Sequence, residues 1–299
     1  MSEQTETPLT WDAEAIGAPF SPWRDFLVRF AGNRSAVVGF AIVLVLCLVA
    51  IFAPWIAPHP IAEQDLMVSL EPPLTESYPL GTDQFGRDVM SRLVFGARVS
   101  LQVGVIVTSV SMLIGITIGC LAGYHGGRLD ALLSNLINLV YGFPLILVAL
   151  LFVAVVGPGL GGAMIATGLV TWAGFARIVR GEVISLRNRE FVLAARALGR
   201  GNGWIIIRHI LPNIIGPVLV IASFTMAVAV IIETSLSFLG LGAQPPTPSW
   251  GSMLNEGRSV IYRAWWLATF PGVAIATLVL GFNLLGDGLR DVLDPRMRT

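Results

Sequence analysis

Lysine is missing altogether: all 19 basic residues are arginine. A Walker A loop sets a lysine against the nucleotide phosphates, so this chain builds no such site. Lysine Schiff-base chemistry is excluded with it. Charge of either sign is scarce, at 13% of the 299 residues, where a soluble domain carries roughly 25%. Only two cysteines occur, Cys47 and Cys120, and both sit inside apolar runs, which suits packing better than a disulfide. The three histidines, His59, His125 and His209, are scattered without metal-ligand spacing. With a formal net charge of +0 and a pI near 6.8, no basic field points to nucleic acid.

Apolar residues fill the space that charge leaves. They make up 55% of the chain, and the mean hydropathy is +0.75. A soluble globule could not hide so much apolar surface, and a disordered chain would not contain it. The composition is that of an integral membrane protein. Six segments approach the ~20 apolar residues that a crossing helix needs: 36–53, 101–122, 131–156 with Pro144 inside, 160–176, 214–238, and 265–285 with Pro271 inside. Internal prolines are tolerated in spans where neighbours satisfy the freed carbonyl. Arg24, Arg29 and Arg34 precede the first segment and no small-residue cleavage site comes after it, so it reads as an uncleaved anchor. An all-α membrane protein of six spans has both termini on one side. Placing them in the cytoplasm puts fourteen of the nineteen arginines inside and five outside, as the positive-inside rule requires.

The resulting organisation is a cytoplasmic segment over 1–35, a first span and outer loop over 36–98, a five-span core over 99–290, and a cytoplasmic tail over 291–299. Trp23, Phe26, Leu27 and Phe30 recur at helical spacing among Arg24, Asp25 and Arg29, which reads as a helix lying on the inner membrane surface. Gly115, Gly119 and Gly123 repeat every fourth residue in the second span, which lets another helix backbone come close.

Two loops are too long and too patterned to be plain connectors. The outer one, 58–98, ends in LGTDQFGRDVMSRLVFGAR. Its Asp83, Arg87, Asp88 and Arg92 can form local ion pairs and are candidates for contact with an outer-face partner, or form a structured cap. The inner one, 177–212, holds helix-forming residues 187–198, a break at 199–203, and a second short helix over 202–211 ahead of Pro212. This is a helix–turn–helix elbow. Phe191, Ala194, Ala195 and Leu198 give it a small-apolar ridge rimmed by arginines, suited to a groove in another protein. An anionic-lipid patch and a self-packed loop are the alternatives.

The segment LAARALG…HILP resembles the EAA loop of binding-protein-dependent ABC import permeases. That pattern reads E-A-A, three residues, G, nine residues, I, one residue, L-P. Ala194, Ala195, Gly199, Leu211 and Pro212 match in register, while Leu193 stands in place of the glutamate and His209 in place of the isoleucine. Glu190 or Arg196 is the nearby polar group that would replace the lost glutamate contact. GTDQFGRDVMSRLVFGARVSL from Gly81, LSFLGLGAQPPTPSWGSML from Leu236 and NLLGDGLRDVLDPR from Asn283 are similar to the peptide/nickel permeases, and more narrowly to their C-type subunit. The likeness extends over residues 20–299.

The resemblance implies a type I ABC importer permease in a bacterial inner membrane, and a transport subunit rather than an enzyme. It would form half of a pathway with a second homologous permease, over two ATPase subunits that hold ATP and Mg. A soluble extracytoplasmic binding protein would deliver a dipeptide or oligopeptide, or else nickel, glutathione or another small solute. Glu233, near the outer end of the fifth span, would line the pathway and draw a peptide's amino terminus, or would serve as a structural hydrogen-bond or ion-pair partner. Asp287 and Asp291 are expected to pair with Arg290 or neighbouring arginines. The 245–248 proline run would stiffen the outer loop. A secondary transporter would want several coupling acids within its spans, and only Glu233 is available. A non-transporting membrane scaffold is the remaining rival.

Overall fold

The computed structural model describes residues 22–293. The expected 1–35 segment and 291–299 tail therefore fall partly outside the described residues. Among those residues every regular element is helical, and the one extended pairing is an isolated bridge between Thr82 and Asp88.

Helix α1 (Pro22–Gly32) leans on the next helix through its aromatic residues. The Phe26 and Phe30 rings meet at 5.8 Å, and Phe30 meets Phe40 edge-on at 5.9 Å. Trp23 and Leu27 stay exposed. Asn33 caps α2 (Arg34–Ile51) by accepting from the Ala36 amide at 3.0 Å. Its Nδ2 also donates to Asp291 at 3.0 Å. Asp291 is thus held by an asparagine, and among the described residues neither it nor Asp287 forms an ion pair with an arginine.

After α3 (Ala53–Ile56) and the long loop, α4 (Val89–His125) begins twelve residues earlier than its apolar run does. Asp88 supplies the start signal, accepting from the Ser91 amide at 2.8 Å. At 37 residues α4 is about 56 Å long, well beyond the hydrocarbon thickness, so its polar first turns stand clear of the apolar layer.

The expected third span is broken in two. Helices α5 (Gly127–Tyr141) and α6 (Leu145–Val156) meet at 87°. Pro144 has no amide to donate, and it pushes Phe143 away from helical geometry. Packing decides whether that breaks a helix. Residues 141–144 are exposed in this chain, whereas Pro217 and Pro271 sit in continuous helices flanked by neighbours.

The chain continues through α7 (Leu160–Leu186) and α8 (Glu190–Ala197) to α9 (Asn202–Ile205). The expected second short helix of the elbow is in fact the beginning of the next span. α9 passes through one wide turn, Ile206–Ile210, straight into α10 (Leu211–Phe238). Then come α11 (Trp250–Arg258) and α12 (Trp266–Leu293). By length and composition α2, α4, α7, α10 and α12 can each cross a membrane, and the bent pair α5–α6 has the length and composition for a sixth, broken span or for a re-entrant loop.

Two close seams hold the bundle together. Along α4, a methyl on Gly115 would lie 2.3 Å from Phe175 Cβ, one on Gly119 2.8 Å from the Ala176 carbonyl, and one on Gly123 2.8 Å from Val183 Cβ. The stripe is therefore the α4–α7 interface. On the other side α2 lies against α12, with Gly288 packed on Ala36. Helix α10 fills the centre and packs on α4, α7 and α12. Gly216 of α10 lies beside Leu293, so the elbow, the end of α12 and the start of α2 share one end of the bundle.

Overpacking a filled seam costs roughly 1–3 kcal/mol. Gly119→Leu is expected to lower the temperature at which the detergent-solubilised protein loses its monodisperse chromatographic peak. Leu113→Ala, at a residue 70% exposed on the same helix, is expected to leave it unchanged.

Candidate functional site

The elbow projects from the bundle where α7 ends. Arg187, just past α7, donates from Nη1 to the Gly123 carbonyl at 3.0 Å and so ties this corner to the last turn of α4. Helix α8 then runs eight residues and stops at a glycine. Gly199 has φ +76. Its amide bonds the Arg196 carbonyl at 3.0 Å, and the Arg200 amide bonds the Ala195 carbonyl at 3.2 Å. This is the Schellman ending, which needs a left-handed residue at that one position. Chain direction reverses there and α9 begins at Asn202.

Tyr124, at the end of α4, is the post around which both arms are fixed. Its hydroxyl accepts from Arg196 Nη2 at 3.3 Å and donates to Asn202 Oδ1 at 3.3 Å. The Arg196 guanidinium also lies 5.5 Å from the ring centre. Beneath the elbow Val192, Ala195, Ile205 and Ile210 are buried in one cluster with Phe175 and Val179 of α7.

This arrangement corrects the composition of the ridge. Ala195 faces inward at 6% exposure. Phe191, Ala194 and Leu198 face outward, and Leu198 is 80% exposed. Leu193, in place of the glutamate, also points outward. Glu190 is exposed in the first turn of α8 and Arg196 is turned toward Tyr124. His209 is flanked by Trp204 at 5.0 Å and Phe191 at 6.1 Å between ring centres, so it fills an aromatic slot against α8. Leu211 and Pro212 form the first turn of α10, with Leu211 half-buried and Pro212 exposed. What remains uncovered is a small apolar surface on a capped, anchored turn.

At the other end of the bundle the outer-loop residues come together around a partner absent from their sequence neighbourhood. Arg87 Nε reaches Asp83 Oδ2 at 2.6 Å, and Arg92 pairs with the same carboxylate. Both arginines also reach Glu256 of α11, each at 2.7 Å. Two cations and two anions so pin the loop and α11 onto α4. Among the described residues Asp88 joins no arginine, being occupied as the α4 cap. Trp250 and Trp266 finish the cap, donating from their indole nitrogens to the carbonyls of Leu93 and Thr82 at 2.9 and 3.2 Å. A cavity of about 150 Å³ opens beside the cluster, lined by Arg87, Arg92, Gln244 and Asn255.

Glu233 is fully enclosed. Its Oε1 accepts from Ser237 Oγ at 2.6 Å in the same helix, and among the described residues no arginine pairs with it. The residues that sequence reasoning passed over, Glu256 and Tyr124, act across 164 and 72 positions in the chain. No local spacing could reveal them.

Residues 115–299 match the profile of the binding-protein-dependent transport system inner membrane component family, and residues 21–73 match the N-terminal TM domain of oligopeptide transport permease C. The dipeptide transport system permease protein DppC of Alkalihalophilus pseudofirmus is 45% identical over 93% of this chain and 91% of its own. The oligopeptide transport system permease protein OppC of Bacillus subtilis is 38% identical over 96% and 94%. The glutathione transport system permease protein GsiD of Pectobacterium atrosepticum is 40% identical over 93% of each. The fold is similar to a chain of the MetNI methionine ABC transporter in an inward-facing conformation, with a TM-score of 0.57, 20% identity, and coverage of 69% of this chain and 98% of that one. A capped elbow on an all-helical bundle with five to six candidate spans, matched over at least 93% of the chain by these permease relatives, places this chain in the family of binding-protein-dependent ABC transporter inner membrane permeases.

Proposed function

We propose that this chain is one half of an ATP-driven importer for dipeptides or oligopeptides in a bacterial inner membrane. It works beside a second homologous permease, over two ATPase subunits, and receives substrate from an extracytoplasmic binding protein. ATP and Mg are held by the ATPases. Both termini and the elbow face the cytoplasm, where the positive-inside rule puts most of the arginines. The peptide substrate rests on the relatives, two of which are named for dipeptide and oligopeptide transport. Glutathione, itself a small peptide, is the second reading, favoured by the 40% identity to GsiD.

One observation carries the coupling role: Phe191, Ala194 and Leu198 stay uncovered on an elbow whose opposite face is buried against α4, α7 and α10. An apolar ridge of this size fits a groove in a partner. Its buried underside passes force into the spans. When a partner ATPase closes, the gripped elbow moves with it, and α7 and α10 swing relative to the sister permease. The coupling is a difference in elbow position between two states, which is all that linkage requires. The outer cap at Asp83, Arg87, Arg92 and Glu256 offers a rigid face to the binding protein.

Ala194→Glu and Leu198→Glu are expected to lower peptide uptake about tenfold or more at normal membrane abundance, because losing a docking hot spot costs upwards of ~1–2 kcal/mol. The check is uptake of labelled dipeptide together with co-purification of the ATPase. Gly199→Val forces a branched residue into left-handed geometry at a cost of ~1–2 kcal/mol. It should impair uptake more than Gly199→Asn, since asparagine tolerates that conformation; equal uptake by the two variants would contradict the capping role.

A further inference from the structure

The break between α5 and α6 has a physical consequence. No backbone amide among the described residues donates to the carbonyls of Tyr141, Gly142 or Phe143. Helix α6 starts without a side-chain cap. Residues 141–144 are also exposed in this chain. In hydrocarbon each unsatisfied backbone group costs several kcal/mol, so irregular backbone at membrane depth survives only inside protein or beside water. This face therefore does not meet lipid.

Two further observations lie on the same face. A cavity of about 240 Å³ is bounded by Tyr141 and Leu145 at the break, Thr171 and Gly174 of α7, and Thr225 and Val228 of α10. Thr171 and Gly174 lie near the middle of α7, and Thr225 and Val228 lie inside the long helix that runs from α9 through α10, so the cavity lies between two candidate spans and away from their ends. One turn along α7 from Gly174, Arg177 is exposed. Its guanidinium stacks over the Tyr141 ring at 3.9 Å and donates to Asn138 Oδ1 at 3.1 Å. Among the described residues no carboxylate pairs with it. An arginine held on the exposed face of a span by a tyrosine and an asparagine marks a solute path rather than lipid.

We infer that the broken helix, the middle of α7 and α10 form the wall of a chamber between the spans through which the peptide passes, with Arg177 as the group that meets its carboxylate. The inference rests on the import reading above. The wall supplies the Tyr141 hydroxyl, open carbonyls and one cation, while Thr171 and Thr225 donate their hydroxyl protons to the carbonyls of Thr167 and Ile221. Those suit a peptide's backbone and its carboxyl end, which every peptide carries whatever its side chains. Glu233, enclosed elsewhere, takes no part in this wall.

The test uses the assembled transporter reconstituted in liposomes, with Cys47 and Cys120 replaced by serine and single cysteines introduced as Val228→Cys, Gly174→Cys and, outside the cavity, Leu113→Cys. Membrane-impermeant thiosulfonates, one anionic and one cationic, are the probes. Val228→Cys and Gly174→Cys are expected to react and Leu113→Cys to stay unmodified. The anionic reagent should react about tenfold faster than the cationic one, the enhancement a focused positive site gives. Adding Arg177→Gln should remove that preference without abolishing labelling. If both chamber positions stay unreactive in every nucleotide state while the variants still import dipeptide, this face is buried against the sister chain and the inference is overturned. Equal rates for the two reagents would overturn the role of Arg177. Absence of ATP-dependent dipeptide uptake by the unmodified transporter would instead contradict the import reading itself.

Discussion

The architecture depends on how closely α4 and α7 approach. Three glycines on one face of α4 bring its backbone against Phe175, Ala176, Val179 and Val183. Lipid tails are as apolar as leucine, so two helices gain little from the hydrophobic effect by meeting in a membrane. Tight van der Waals packing has to hold them together. The seam runs along α4 to its last turn, where Tyr124 and the Gly123 carbonyl take hold of the elbow. Whatever moves the elbow therefore moves a helix pair.

The two ends of the bundle are built by different physics. The elbow end uses apolar burial beneath and a few polar ties at its rim, leaving an apolar ridge outside. The opposite end uses four largely buried charges and two indole hydrogen bonds. Charges packed away from water hold firmly only when each is paired, and removing one partner is costly. Asp83 and Glu256 each serve both Arg87 and Arg92, so the outer cap behaves as one unit. A charge-paired cap at one end and an anchored elbow with an uncovered apolar ridge at the other give the bundle two differently built ends.

Much of this was legible in the sequence, because membrane constraints write themselves in long apolar runs and small-residue repeats. The all-helical fold, five of the six expected spans, helix α1 and the role of Gly115, Gly119 and Gly123 follow from pattern alone. Gly199 was marked by the motif, and its left-handed geometry explains why a glycine stands there. The missing parts have particular causes. Pro144 looked like Pro271, yet residues 141–144 are exposed where Pro271 is buried among neighbouring helices. Ala195 looked like Ala194 in a string of small residues, yet a helical turn of about 100° per residue sends one inward and the other out. Arg87 and Arg92 were visible, but Glu256 reaches them from another helix. Asp291 sat among arginines and was taken by Asn33. For Glu256 and Asp291 a tertiary contact overrides the local pattern.

Tyr124 and the buried cluster beneath the elbow join it rigidly to α4, so it transmits motion without deforming. The distance between spin labels at Ala197→Cys on α8 and Leu121→Cys on α4 reads this joint, in the assembled importer with Cys47 and Cys120 replaced by serine. One narrow distance distribution is expected, the same in nucleotide-free, ATP-bound and post-hydrolysis states. A shift of several ångströms between those states, or a broad distribution in any of them, would show the elbow hinging on its own and rule out a rigid joint.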